Sequence, residues 1–210
     1  MPKREAPLTS LEAFLPPHTY DAVMQYLHTY HVHLTIARER KSILGDYRHR
    51  TPQQAHRISV NGSLNKYAFL ITLLHELAHL LTFEKWGSRV QSHGKEWKTV
   101  FGALLAQFIQ HKIFPPDIEA ALLQSITSPA ATTCADTVLL KTLRRYDVNE
   151  SSGKLVEELP HDALFKTGDG KVFKKGVQAR TRFKCVEVAT GKLYLFSPVY
   201  EVTPLHEYGS

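Results

Sequence analysis

Residues 73–81 read LLHELAHLL, and this stretch decides the fold of the first part of the chain. It contains two histidines, His75 and His79, with Glu76 between them. Four residues make just over one turn of an α-helix, so both imidazoles project from one face and can converge on one metal ion. Glu76 directly follows the first histidine and can lie beside that ion without ligating it. The stretch therefore predicts a metal-binding helix.

The residues around this motif indicate that the helix is buried. Residues 67–83 contain neither proline nor glycine, and their leucines are spread around most of the helix circumference. Burying imidazoles and a carboxylate without partners costs roughly 2–7 kcal/mol for each group, which a metal ion offsets. The pattern is typical of zinc hydrolases, in which the glutamate is the general base. The alternative is a core helix whose histidines bind backbone carbonyls and whose Glu76 pairs with a basic residue.

A catalytic zinc ion usually takes three protein ligands and leaves one position for water. His93 is the best candidate for the third ligand, because Gly94 follows it and lets the backbone pass close to the site. From Trp97 onward, apolar residues recur at steps of three and four, which predicts an amphipathic helix with His93 at its entrance. Glu84 and Glu96 are weaker alternatives.

The order of these features resembles a known family. An N-terminal helix, a short antiparallel sheet, the helix with His75, Glu76 and His79, and then the run HGKEW at residues 93–97 are similar to the SprT-like domain. Bacterial SprT proteins and the Spartan DNA–protein crosslink proteases share this domain, and the similarity covers residues 8–125. It implies a zincin-like (minigluzincin) fold, one catalytic Zn²⁺, peptide-bond hydrolysis and a role in DNA–protein crosslink repair.

The chain departs from this family in its cysteines. SprT proteins commonly carry a C-terminal zinc ribbon with four cysteine ligands, whereas this chain has only Cys134 and Cys185. A structural zinc site is closed by four Cys or His ligands, so we expect a metal-free β module in place of the ribbon.

The sequence therefore predicts an α+β protein in three parts. Residues 1–125 form the SprT-like metalloprotease domain, residues 126–137 a linker rich in Ser, Thr, Ala and Pro, and residues 138–210 a small basic β-rich module. Within the first part we predict a helix at 10–29, strands at 32–36, 42–48 and 56–60, and Asn65 as the cap of the metal helix.

A basic run lies in the predicted β module. Between residues 166 and 185, seven basic residues stand against one acidic residue, and Phe165, Phe173 and Phe183 punctuate the run. Basic side chains that neutralise phosphates, together with exposed aromatic rings that stack on bases, are used by single-strand binders. The candidate nucleic-acid contacts are Lys171, Lys174, Lys175, Arg180, Arg182 and Lys184. Alternatively, the phenylalanines fill a small core and the charges form its solvated face.

The bulk composition is typical of a soluble globular protein. The chain has 210 residues, 43% of them hydrophobic and 22% charged, with a net charge of +6. Its longest apolar run is interrupted by the motif and predicts no membrane span. The first residues lack the apolar region of a secretory signal, and two widely spaced cysteines indicate no disulfide framework. We therefore expect a cytoplasmic protein.

Three hypotheses about function follow. The leading one is a zinc metallopeptidase that cleaves DNA-associated or DNA-crosslinked proteins, with single-stranded DNA as a possible partner. The second is a nucleic-acid-binding protein whose zinc site is structural or inactive. The third is a zinc hydrolase acting on a small peptide or an amide.

Overall fold

The computed structural model of the protein describes residues 8–37, 44–127, 137–147 and 153–205. The chain divides into two compact units, Met1–Tyr146 and Asp147–Ser210. Most of the predicted linker lies outside the described residues.

The first unit is α+β, as predicted. A 3-10 helix at Leu8–Phe14 is followed by α1 (Tyr20–Thr29), β1 (His33–Ala37), β2 (Gly45–Arg48), β3 (Arg57–Asn61), α2 (Lys66–Trp86), α3 (Lys95–Gln110), α4 (Pro116–Thr127) and α5 (Thr137–Arg144). The predicted first helix is thus two segments, because Pro16 and Pro17 cannot continue a helix.

The sheet of the first unit is mixed, and the prediction of an antiparallel sheet was wrong. Its strand order is β1-β3-β2, with β1 parallel and β2 antiparallel to β3. The central strand β3 buries Ile58 and Val60. Alternating burial is the same for parallel and antiparallel pairing, so the sequence pattern does not distinguish the two. β2 lies at one edge of this sheet and contacts α2.

Helix α2 is buried around nearly its whole circumference, as its leucines predicted. Asn65 caps it, because the side-chain oxygen accepts hydrogen bonds from the backbone N–H groups of Tyr67 (3.1 Å) and Ala68 (3.0 Å). Its amide group also donates to the carbonyl of Leu143 in α5 (2.9 Å). Gly87, in the left-handed region with φ 63°, ends the helix. Within the described ranges, no helix combines the length and apolar character needed to cross a membrane.

The boundary between the units lies later in the sequence than predicted. Helix α5 buries Leu139 and Leu143 in the core of the first unit, so residues 138–146 belong to this unit and not to the β module. An amphipathic helix this short is stabilised by burying one face against its neighbours.

The second unit is built from antiparallel strands, as predicted for the β module. These are β4 (Lys154–Leu155), β5 (Leu164–Lys166), β6 (Val172–Ala179), β7 (Arg182–Glu187), β8 (Leu193–Phe196) and β9 (Glu201–Leu205). They form one sheet in the order β4-β9-β5-β6-β7-β8. Its small separate core contains Phe165, Phe173, Cys185 and Phe196, among other residues.

Candidate metal centre

Three histidine side chains meet in the first unit. The Nε2 atoms of His75 and His79 are 3.3 Å apart, and the Nε2 atom of His93 lies 3.0 Å from each of them. A tetrahedral zinc ion bound at about 2.0–2.1 Å separates its ligand nitrogens by about 3.3–3.4 Å. The observed triangle matches these edges to within a few tenths of an ångström. Three imidazole nitrogens that converge in this way can share one cation, so the residues fit a zinc ion.

Two elements bring the three side chains together. His75 and His79 project from one face of α2, because they are separated by one helical turn. His93 precedes α3 and has φ 58°, a left-handed conformation that non-glycine residues rarely adopt. Gly94 follows in a tight turn, in which a β-carbon would lie only 2.9 Å from the carbonyl oxygen of Gln91. This turn places His93 at the entrance of α3, as its position in the sequence predicted.

Trp97 forms a common support for the three imidazoles. The centroid of its ring system lies 4.6 Å from His75, 5.2 Å from His79 and 4.6 Å from His93, and its side chain is 1% exposed. Phe101 stacks against the indole at 4.9 Å. The sequence pattern identified Trp97 only as the first residue of a buried helix stripe, and its contact with all three candidate ligands was missed.

The three imidazoles are uncharged near neutral pH. Burial, and then positive charge on His79 and His93, lowers the pKa of His75 to about 3. Burial, followed by the influence of His93, lowers the pKa of His79 to about 4. The pKa of His93 is also lowered, first by burial and then by Lys98. A neutral imidazole is the form that binds metal, so few protons compete with a cation for these nitrogens.

Glu76 lies beside the histidines on α2 and is 7% exposed. Burial raises its pKa to about 8, and the negative charge of Asp46 contributes to the same shift. A carboxyl group whose pKa is close to neutrality can both accept and release a proton under ordinary conditions. A cation held by the three histidines would lower this pKa and favour the carboxylate form.

A network of hydrogen bonds adjoins the histidines on the side of β2. The Tyr47 ring is parallel to the His79 ring, with centroids 6.4 Å apart, and its hydroxyl is 3.0 Å from Nδ1 of His56. The backbone N–H of Arg50 also donates to this Nδ1, so the proton of neutral His56 is on Nε2 and is donated to Glu84 at 3.2 Å. Burial, and then the charge of Glu84, raises the pKa of Tyr47 well above its ordinary range.

The carboxylate of Glu84, one of the two weaker candidates for the third ligand, belongs to this hydrogen-bond network. Arg50 contacts both of its carboxylate oxygens, at 3.1 and 3.2 Å. The potential metal-binding group found among the described residues consists of His75, His79 and His93, without Glu84 or Glu96. The hydrogen bond between Tyr47 and His56 was also missed by sequence reasoning, since these residues are brought together by strand pairing and not by a motif.

The predicted nucleic-acid contacts lie on β6, β7 and the turns beside them, and they differ in exposure. Arg180, Arg182 and Lys184 are exposed. Lys171 pairs with Glu187 at 3.4 Å, and Lys174 pairs with Asp162 at 3.0 Å.

Lys175 is unsuited to the predicted role. Its side chain is buried, and its ammonium group donates to the carbonyls of Glu157 (3.2 Å) and Leu159. It also lies 4.3 Å from the centre of the Phe183 ring. Burial lowers its pKa. Because the ammonium group is buried and donates to two carbonyls, it is not offered to a phosphate.

The phenylalanines of the basic run follow the alternative interpretation. Phe165 and Phe173 are 0% and 3% exposed and stack on each other in the core of the second unit. Phe183 is partly buried against the same core. These rings are therefore not exposed platforms on which bases stack.

Fold and site together define the first unit as an α+β domain in which three histidines, on one buried helix and the turn after it, lie close enough to hold a metal ion. Residues 18–117 match the family model described as SprT-like family, which agrees with the resemblance seen in the sequence. Proteins of this family are generally similar to zinc metallopeptidases. Searches of curated proteins and of solved structures found no match.

Proposed function

We propose that the protein is a zinc-dependent metallopeptidase with a zincin-like first unit. His75, His79 and His93 would hold one Zn²⁺, and Glu76 would be the general base. The observation that carries the proposal is the convergence of three Nε2 atoms within 3.3 Å of one another, with a buried carboxyl group on the same helix.

The division of chemical work follows from these residues. When bound, Zn²⁺ supplies a Lewis acid that polarises a peptide carbonyl and makes water easier to deprotonate. A carboxylate oxygen of Glu76 accepts a proton from the attacking water, and the resulting carboxylic acid donates it to the nitrogen of the leaving amine. The pKa of Glu76 is raised to about 8 without a metal, and Zn²⁺ held beside it would lower this pKa and favour the carboxylate that the first step needs. Trp97 and Tyr47 hold the ligand rings in place by contact.

Strand β2 offers a binding mode for the substrate. It is an edge strand of the sheet and has β3 on one side. An extended polypeptide can add to such an edge through main-chain hydrogen bonds, which select little for side chains. Broad sequence specificity follows from this mode of binding.

We further propose that the substrates are DNA-associated or DNA-crosslinked proteins. The resemblance to the Spartan DNA–protein crosslink proteases suggests this class, and the net charge of +6 favours a nucleic-acid partner. The exposed side chains of Arg180, Arg182 and Lys184 supply candidate phosphate contacts. Single-stranded DNA is favoured only by the earlier sequence pattern, since the rings expected to stack on its bases are mostly buried.

The substitution Glu76→Gln tests the proposed function. It removes the base while preserving size, so we expect zinc content and fold to be retained and cleavage of casein or DNA-binding proteins to be lost. A matched control is Glu119→Gln on α4, which should cleave like the wild type. Activity should also be lost with a zinc chelator and return with Zn²⁺. Cleavage by Glu76→Gln at the wild-type rate would refute the assignment.

The second candidate function is nucleic-acid binding with an inactive or structural zinc site, and the exposed basic residues on β6 and β7 favour it. It predicts salt-dependent DNA binding without cleavage of any protein. Measuring proteolysis with and without single-stranded DNA separates the two candidates, because DNA-stimulated, chelator-sensitive cleavage is expected only from the peptidase.

A further inference from the structure

The first residue of β2, Gly45, lies directly against the side chain of Glu76. A β-carbon built at Gly45 would lie 2.5 Å from Oε1 of Glu76 and 2.9 Å from its Cγ. It would also lie 2.8 Å from Cγ2 of Thr72, one turn earlier on α2. No real β-carbon sits this close to its neighbours, so any other residue at this position must displace something.

The requirement for glycine at this position is spatial. Among the described glycines, only Gly87, Gly170 and Gly191 have a positive φ, so the backbone of Gly45 is one that other residues can adopt. What excludes a side chain is the narrow gap between β2 and α2.

Neither the backbone of β2 nor the side chain of Glu76 can easily move apart to widen this gap. On one side, Gly45 is opposite Val60 in the β2–β3 ladder, and the carbonyl of Leu44 accepts a hydrogen bond from the backbone N–H of Asn61 at 2.8 Å. On the other side, Glu76 belongs to a helix that is buried nearly all round, and its own side chain is 7% exposed. Closely packed interiors transmit such a displacement instead of absorbing it.

We propose that Gly45 is a positioning residue, which fixes the carboxylate of Glu76 by bringing the backbone of β2 into contact with it. This inference rests on the proposed role of Glu76 as the general base. Residues 45 and 47 lie on the same face of β2, and Tyr47 stacks on the candidate ligand His79. The proposed substrate-binding strand therefore contacts both the base and a ligand.

The substitution Gly45→Ala measures this effect. Ordinary contacts of a β-carbon begin at 3.4 Å, so the carboxylate must move by about 0.9 Å to accommodate the new methyl group. A displacement of this size at a reacting group lowers the rate about 100-fold. We expect kcat to fall by this factor, with KM and zinc affinity close to those of the wild type. The control Gly102→Ala, whose new β-carbon would lie 3.6 Å from Cγ2 of Ile126, should leave all three unchanged.

Rescue by a shorter acid separates positioning from general damage. In the Glu76→Asp background the terminal oxygens are withdrawn by one methylene, which relieves the 2.5 Å contact with Oε1, whereas the contacts with the γ-carbon and with Thr72 remain. There we expect Gly45→Ala to lower kcat by a clearly smaller factor than in the wild type, because residues in contact have non-additive effects. An equal loss in both backgrounds would overturn the proposal. If Gly45→Ala alone does not fold, recovery of folding when Glu76→Ala is added supports the proposal, and failure to recover overturns it.

A second measurement is independent of activity. In metal-free protein, Gly45→Ala should lower the melting temperature clearly in the wild-type background and much less in the Glu76→Ala background. Contact with Thr72 accounts for the part that remains. Equal decreases in the two backgrounds would show that Gly45 does not fix Glu76. If the wild type cleaves no protein, the proposed function fails, while this comparison still decides whether Gly45 holds the carboxyl group.

Discussion

The buried ionisable groups of the metal centre predict an unusual dependence of stability on pH in the metal-free protein. The perturbation is Glu76→Gln combined with a change from pH 7 to pH 5. The pKa values of His75 (about 3) and His79 (about 4) depend on burial and on the other histidines, whereas that of Glu76 (about 8) depends on burial and on Asp46. The contributions of the histidines and of Glu76 to the unfolding free energy can therefore be separated.

The histidines and Glu76 act in opposite directions. A histidine whose folded pKa lies below its ordinary value of 6.5 contributes stability that is present above pH 6.5 and is lost as the pH falls. Between pH 7 and pH 5 this loss is about 2 kcal/mol for each of His75 and His79. Glu76 has a folded pKa above its ordinary value of 4.5, so its contribution is complete below pH 4.5 and is lost as the pH rises towards 8. When the pH falls from 7 to 5, Glu76 therefore restores about 2–3 kcal/mol of unfolding free energy.

Wild-type protein should therefore lose only about 1–2 kcal/mol from these groups between pH 7 and pH 5, and Glu76→Gln should lose about 4 kcal/mol. Urea denaturation with a chelator at both pH values measures the difference, and circular dichroism checks that the variant keeps its fold. His56 and His93 titrate in both proteins and cancel in the comparison. An identical pH dependence of the two proteins would refute the reasoning.

Three further predictions concern the cap, the third ligand and the second unit. Asn65→Ala removes the acceptor for two helix N–H groups and should lower the unfolding free energy by about 1–2 kcal/mol in urea denaturation. Asn65→Asp should retain part of the stabilisation by the cap. An unchanged midpoint in Asn65→Ala would contradict the capping role. His93→Ala should weaken zinc binding by more than about 100-fold in a competition assay with a chromogenic chelator. The exposed control His111→Ala should bind zinc like the wild type. Equal zinc affinities of His93→Ala and the wild type would exclude His93 as a ligand. If the protein binds DNA, Lys184→Ala should reduce the slope of DNA affinity against salt concentration by about one phosphate contact, and Lys175→Met should not change this slope. A reduced slope in Lys175→Met would mean that the buried ammonium does reach phosphate.

The elements that sequence patterns predicted correctly are governed by local physics. The absence of proline and glycine, the distribution of leucines and the cap at Asn65 act within a few residues, and they define α2 closely. The position of His93 was predictable for the same reason, because it depends on the adjacent Gly94 and on the periodic helix that follows.

The features that were missed depend on contacts between distant parts of the chain. The parallel pairing of β1 with β3 leaves no trace in alternation. Helix α5 follows a linker-like composition, and only its packing against the first core assigns it to that unit. Gly45 carries no side chain, so no pattern signals its contact with Glu76, which lies 31 positions away.

The indole of Trp97 gives the metal centre an optical reporter of its own. The chain has two tryptophans, and only Trp97 is in ring contact with all three candidate ligands. Fluorescence emission from a buried indole responds to the charge and orientation of the rings around it, so loading with Zn²⁺ should change the emission of the wild type. The control Trp97→Phe keeps only Trp86, so an emission change that is lost in this variant comes from Trp97. Occupancy of the centre can then be followed in real time without a label, a substrate or an added dye.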